Sequence, residues 1–128
     1  MESSREMHSI LVIDDEEAMR ETLCAALTAQ GFRAIGAANG NDGLRKFRKL
    51  KVSLVLTDLV MPDLDGIGLI REIKRTAPDM PVIAMSGWQR CGVSFYLDVA
   101  KALGAAEVLA KPFTIRELRT RIDRCLAA

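Results

Sequence analysis

Short apolar runs and helical periodicities alternate along this chain. Ser9–Asp14 (SILVID) is apolar and β-branched, which predicts a buried strand. Ala18, Met19, Leu23, Ala26 and Leu27 then recur at helical spacing behind a cap at Asp15 or the residue after it, and Gly31 stops that helix. Phe32–Ala38 predicts a second strand. Asn39-Gly40 reads as a turn, with Asn41 or Asp42 starting a helix that carries Leu44, Phe47 and Leu50. Val52–Asp58 predicts the third strand. After a Pro62–Gly66 loop, a helix turns Ile67, Ile70 and Ile73 inward. Pro78 and Pro81 bracket the return into a fourth strand, Pro81–Ser86. A helix over about Val93–Leu103 is closed by Gly104, Ala106–Ala110 is the fifth strand, and Thr114 caps a last helix through about Cys125.

Five near-continuous apolar strands, each followed by a helix, predict an α/β fold with a parallel sheet covered on both faces. Right-handed crossovers make it one doubly wound layer, whose ligand crevice lies beyond the carboxyl ends of the strands. Those ends carry Asp14-Asp15, Asp58, Ser86 and Lys111, on strands one, three, four and five; strand two offers only Ala37-Ala38. A five-stranded sheet in the order 2-1-3-4-5 brings the polar ends together. With no repeat, linker or low-complexity tract, residues 1–128 are expected to form a single domain with its core over about 9–125.

Composition narrows the partners. Hydrophobic residues make up 49% and charged residues 27%, an ordinary globular balance. A net charge of +1 implies neither nucleic acid nor an anionic membrane, and no apolar run approaches the roughly 18 residues of a membrane span. MESSREMHSI lacks the apolar core of a secretion signal, and Cys24, Cys91 and Cys125 form no CxxC pair. A cytoplasmic protein with reduced thiols is expected.

Asp14, Asp15 and Asp58 within a few ångströms would repel one another unless a cation lay among them. Oxygen donors without His or Cys suit a hard divalent ion, Mg²⁺ above all. A carboxylate nucleophile, a metal, a hydroxyl at Ser86 and a lysine at Lys111 form a phosphoryl-transfer set. Acyl transfer is excluded, because His8 is the only histidine and stands before the first strand.

VIDDEEAMR, LVLTDLVMPDLDG, VIAMSG and AKPF resemble, in order and spacing, the four signatures of response-regulator receiver domains of two-component signalling. The resemblance covers about Ser9 to Cys125 and implies the flavodoxin-like fold of chemotaxis regulators. It implies Asp58 as phosphoacceptor, Asp14 and Asp15 as the metal pair for Mg²⁺ (or Mn²⁺), and the Val60 backbone carbonyl as a further ligand beside Asp58. Ser86 would bond the phosphoryl group, Lys111 would pair with it, and the Lys111–Pro112 bond would be cis. A phosphoacceptor that promotes its own phosphorylation and dephosphorylation is implied, not an enzyme with an external substrate. The implied partners are a histidine kinase or His-phosphotransfer protein, with an output domain or homodimer through the face from the fourth to the fifth helix. No nucleic acid is expected on this domain, and no membrane.

Two other readings stand beside it. A phosphatase or phosphotransferase with an aspartyl-phosphate intermediate would need a cap, and no cap insertion is present. A flavodoxin-like cofactor binder would need a hydroxyl-rich loop after the first strand, where DDEEAMR is acidic. Asp63 and Asp65 are expected to shape the loop and cap the third helix. Two departures from the resemblance matter. Val108 fills the strand-five position where receivers carry Tyr or Phe, and Gly87–Gly104 is about three residues longer than usual, setting Trp88 beside the site. On the fourth helix, Val93, Leu97, Ala100 and Gly104 are expected on the sheet, with Phe95 and Val99 outward. Met1 is taken as a natural start, and the chain is expected to be either a stand-alone regulator or a receiver cut from a longer protein.

Overall fold

The computed structural model describes residues 7–61, 64–87 and 93–127, with the side chains of residues 93–97 outside the description. In chain order the elements are β1 (Ser9–Ile13), α1 (Glu17–Ala29), β2 (Arg33–Ala37), α2 (Gly40–Lys49) and β3 (Leu54–Asp58). They continue as α3 (Gly66–Thr76), β4 (Val82–Ser86), α4 (Val93–Ala102), β5 (Glu107–Ala110) and α5 (Ile115–Ala127). All strand pairs are parallel, and the sheet order is β2-β1-β3-β4-β5. The expected doubly wound α/β architecture is therefore present.

Alternation along the strands divides the core between two faces. Leu11, Ile13, Val55 and Ala84 face α2, α3 and α4, where Leu69, Ile70, Ile73 and Ala100 complete one cluster. Ile10, Val12, Leu54, Leu56 and Ile83 face α1 and α5, meeting Leu23, Leu27, Leu118 and Ile122. Each fully buried Leu or Ile contributes about 2 kcal/mol relative to an exposed one. Because β1, β3 and β4 are buried along their whole length, they read as unbroken apolar runs.

The helix ends follow local chemistry. Gly31 (φ 95°) and Gly104 (φ 111°) take left-handed backbone just past α1 and α4, which only glycine adopts without strain. Asp65 caps α3 by accepting from the Gly68 N–H at 2.9 Å. Thr114 and Glu117 form a reciprocal capping box at α5.

Several boundaries differ from expectation. Asn39 caps α2, so the helix starts at Gly40 rather than after a turn. The Asn39 side-chain Oδ1 accepts from Asp42 N–H at 2.8 Å, and the Asp42 carboxylate accepts in return from Ala38 N–H at 3.2 Å. The α1 cap is Glu16, the residue after Asp15 and one of the two expected positions, though it makes no side-chain bond of its own. Ala18 is exposed, and Leu50 lies beyond α2 at 44% exposure instead of in the core. On α4, Ala100 is buried as expected and Val99 is half-buried, while Gly104 just past it is exposed; the side chains of Val93, Phe95 and Leu97, and residues Asp63 and Trp88, lie outside the description.

Candidate functional site

Strand register brings the polar ends to one edge. Ile13 lies opposite Thr57, Asp58 opposite Met85 and Ser86 opposite Ala110. Asp14, leaving β1, is fully buried. Its Oδ1 accepts from Glu16 N–H at 2.9 Å, which satisfies the first turn of α1 in place of a side-chain cap. Asp58, ending β3, is 8% exposed, and its Oδ1 accepts from Leu59 N–H at 2.8 Å. Val60 N–H points to the same oxygen at 3.5 Å. Asp15 is exposed, yet one carboxylate oxygen from each of Asp14, Asp15 and Asp58 lies within 4.8 Å of the others.

Lys111 follows β5, its N–H donating to the Ser86 carbonyl at 2.7 Å, and its peptide bond to Pro112 is cis. Its Nζ donates to Asp14 Oδ2 at 3.1 Å and Asp58 Oδ2 at 3.2 Å. Burial pushes the Asp58 carboxyl above its ordinary pKa; Lys111 opposes that rise and Asp14 adds to it. Burial alone would lower the Lys111 ammonium, but Asp58 and Asp14 together hold it above its usual value. Three carboxylates against one ammonium leave two negative charges, a match for a hard divalent ion held by oxygens. Ser86 is fully buried, and its Oγ has no hydrogen-bond partner among the described residues. A buried hydroxyl left unmatched is rare, and it stands on the strand that ends beside the acidic cluster.

An open cavity of about 460 Å³ adjoins these groups, lined by Asp15, Asp58, Lys111, Glu16, Met19 and Val60 among others. Val60 stands 39% exposed there. All the residues predicted from strand ends thus meet at one edge.

Two contributors went unseen in the sequence. Arg20 Nη1 donates to the Asp14 carbonyl at 2.9 Å, fixing the β1–α1 turn, and only its offset of six from Asp14 could have hinted at this. Gly66 lets α3 start against the end of β3, since a Cβ there would fall 2.6 Å from Leu59 Cα and closer still to the Asp58 carbonyl. The Gly after Asp65 signalled a helix start, not this approach.

Comparison with known proteins agrees with this architecture. The family model described as "Response regulator receiver domain" matches residues 10–123. The chain belongs to that family, a regulatory class rather than one of enzymes acting on external substrates. It is 38% identical over 127 residues to the probable transcriptional regulator ycf27 of Pyropia yezoensis, covering 98% of this chain and 49% of the relative. It is 33% identical to the response regulator receiver protein CpdR of Brucella abortus, covering 95% of this chain and 99% of that one. Among solved structures, a receiver domain protein from Clostridium thermocellum superposes with a TM-score of 0.89 at 33% identity, covering 94% and 95% of the two chains. The chain spans about half the length of several transcriptional regulators that it matches. No described helix is long and apolar enough to cross a membrane.

Proposed function

We propose that the chain acts as one phosphoacceptor unit over residues 1–128, receiving a phosphoryl group on Asp58 from a phosphohistidine donor. The observation that carries this reading is the convergence of Asp58, Asp14, Asp15 and Lys111 within hydrogen-bonding and metal-binding reach at one strand edge. An Asp58 carboxylate oxygen supplies the electron pair for the new P–O bond. The P–N bond breaks, its pair returns to the imidazole nitrogen, and that nitrogen takes a proton from solvent.

Asp14, Asp15, Asp58 and the Val60 carbonyl are the residues that would hold Mg²⁺ (or Mn²⁺). When bound, the ion neutralises carboxylate repulsion and charge on the phosphoryl oxygens. Lys111, already bonded to Asp14 and Asp58, supplies a further positive charge toward the phosphoryl group. The Ser86 hydroxyl, unpartnered in this state, gains an acceptor when a phosphoryl oxygen arrives. Arg20 and Gly66 keep Asp14 and the end of β3 in place.

The partners of this reading are a histidine kinase or His-phosphotransfer protein, with an output domain or a homodimer through the α4–β5–α5 face, in the cytoplasm. The relatives support the general pattern: they include a sensor kinase, CckA, and a regulatory protein, AtoC. Val108 is half-buried in β5 and carries no aromatic ring, so the Tyr or Phe switch of the resembling receivers is not available at that position.

Acetyl phosphate with Mg²⁺ should add one phosphoryl group by intact mass, and Asp58→Asn should add none. Full phosphorylation of that variant would assign the acceptor elsewhere. Asp15→Ala should weaken Mg²⁺ binding severalfold or more by calorimetry.

A further inference from the structure

The net charge of +1 conceals a strong asymmetry. Segments 40–51 and 66–76 together hold eight basic residues against two carboxylates, a surplus of six, so the rest of the chain carries a deficit of five. Both segments lie side by side on one face of the sheet, tied by the Arg48–Glu72 pair at 3.9 Å. Two of the cations serve the fold. Lys46 donates to the Gly36 carbonyl at 2.6 Å and Lys74 to the Met80 carbonyl at 2.7 Å. The other six are exposed; of these, Arg45 pairs with Asp42, and Arg48 and Arg75 with Glu72, while Lys49, Lys51 and Arg71 complete the set. Lys46, Arg48 and Lys49 in the last turn of α2, and Lys74 and Arg75 in that of α3, complement the helix dipoles, but Arg45, Lys51 and Arg71 lie outside those turns.

Within this basic field sits Leu50, 44% exposed between Lys49 and Lys51. Its backbone N–H makes the last helical bond of α2, to the Lys46 carbonyl, and its extended backbone (φ −113°, ψ 151°) turns the chain out of the helix there. Among the described residues only Met7 and Val60 are other large exposed hydrophobics. Met7 precedes β1, and Val60 belongs to the site at the opposite edge of the sheet.

We infer that the α2–α3 face is a docking surface for an acidic protein segment that carries an apolar side chain, with Leu50 as anchor and the arginines and lysines as rim. An apolar anchor ringed by charge is the pattern of protein interfaces, whereas phosphate backbones are met by cations and hydrogen-bond donors. The α2 end of this face leads into the amino-terminal end of β3, away from Asp58, so docking does not need the phosphoacceptor reading.

Fluorescence polarisation with a short labelled peptide of repeated Asp-Glu-Leu tests it, using Asp-Glu-Ser repeats as the comparison. The Leu peptide should bind about tenfold more tightly, and Leu50→Ser should remove that advantage, as loss of an apolar anchor does. The double variant Arg48→Glu, Lys49→Glu should abolish binding of both peptides, while acetyl-phosphate labelling and circular dichroism stay unchanged. Equal binding of the two peptides, with no effect of Leu50→Ser, would reduce the face to simple polyanion attraction and overturn the proposal. So would tighter binding to duplex DNA than to the Leu peptide, concentration-dependent self-association lost in the double variant, or no binding to either peptide.

Discussion

Lys111 Nζ lies 3.2 Å from Asp58 Oδ2, although 53 positions separate the two residues in the chain. The same ammonium reaches Asp14 Oδ2 at 3.1 Å, so one cation serves two carboxylates at a largely buried edge. That offset is incomplete: Asp58 still sits above its ordinary pKa because burial and Asp14 outweigh Lys111.

This has a consequence for stability without metal. The folded protein holds the Asp58 proton to higher pH than the unfolded chain does, so ionisation of Asp58 opposes folding. The penalty is absent below the ordinary value of 3.8, grows as pH rises towards the folded pKa, and is complete above it. Asp58→Asn should therefore be more stable than the parent at neutral pH in EDTA, with the difference shrinking as the pH is lowered. Urea unfolding at several pH values measures it. A variant less stable at neutral pH would mean that Lys111 more than compensates for burial.

Ser86 separates stability from chemistry. Its buried Oγ has no partner among the described residues, and such a group costs about 1–3 kcal/mol. Ser86→Ala should leave thermal stability unchanged or raise it, yet slow labelling by acetyl phosphate severalfold by removing a donor to the phosphoryl group. Loss of stability with normal labelling would show that the hydroxyl has a structural partner instead.

Gly66→Ala probes the close approach of α3 to β3. The added methyl would collide with the Asp58 carbonyl and Leu59 Cα, costing about 1–3 kcal/mol and displacing the end of β3. Lower melting temperature and weaker Mg²⁺ binding should appear together. A stable variant with full metal affinity would show that the helix start shifts freely.

These effects mark what the sequence could and could not display. Buried parallel strands appear as apolar runs, so Ile10–Ile13, Leu54–Thr57 and Val82–Met85 were legible, and their last residues located the edge. The order 2-1-3-4-5 followed from asking which arrangement gathers those ends. Asn39 was read as a turn residue because capping and turn formation use the same side-chain oxygen; the capping bond to Asp42 N–H decides between them only in three dimensions. Leu50 fitted the helical period but falls one residue past the end of α2, where the period no longer applies. Arg20 acts through a guanidinium on a backbone carbonyl, a contact with no compositional signature.

The lifetime of the phosphoryl group turns on Val60. Hydrolysis needs a water in line with the Asp58–phosphorus bond, and a polar group to orient it. Val60, 39% exposed on the cavity wall two residues past Asp58, offers only methyl groups on its side chain. Of the neighbouring polar cavity residues, Asp15 and Lys111 are engaged by metal and phosphoryl group on the proposed function, and Glu16 stands at the cap of α1 rather than beside Asp58 on the β3 side. Self-dephosphorylation should therefore be slow, lasting many minutes or longer rather than seconds. Val60→Asn places an amide where a water can be held and should shorten the lifetime severalfold without changing the fold, since the position is already exposed. Loss of label from purified phosphoprotein over time measures both proteins. A parent lifetime of seconds, unaltered by Val60→Asn, would show that water is oriented from elsewhere and that this residue does not guard the site.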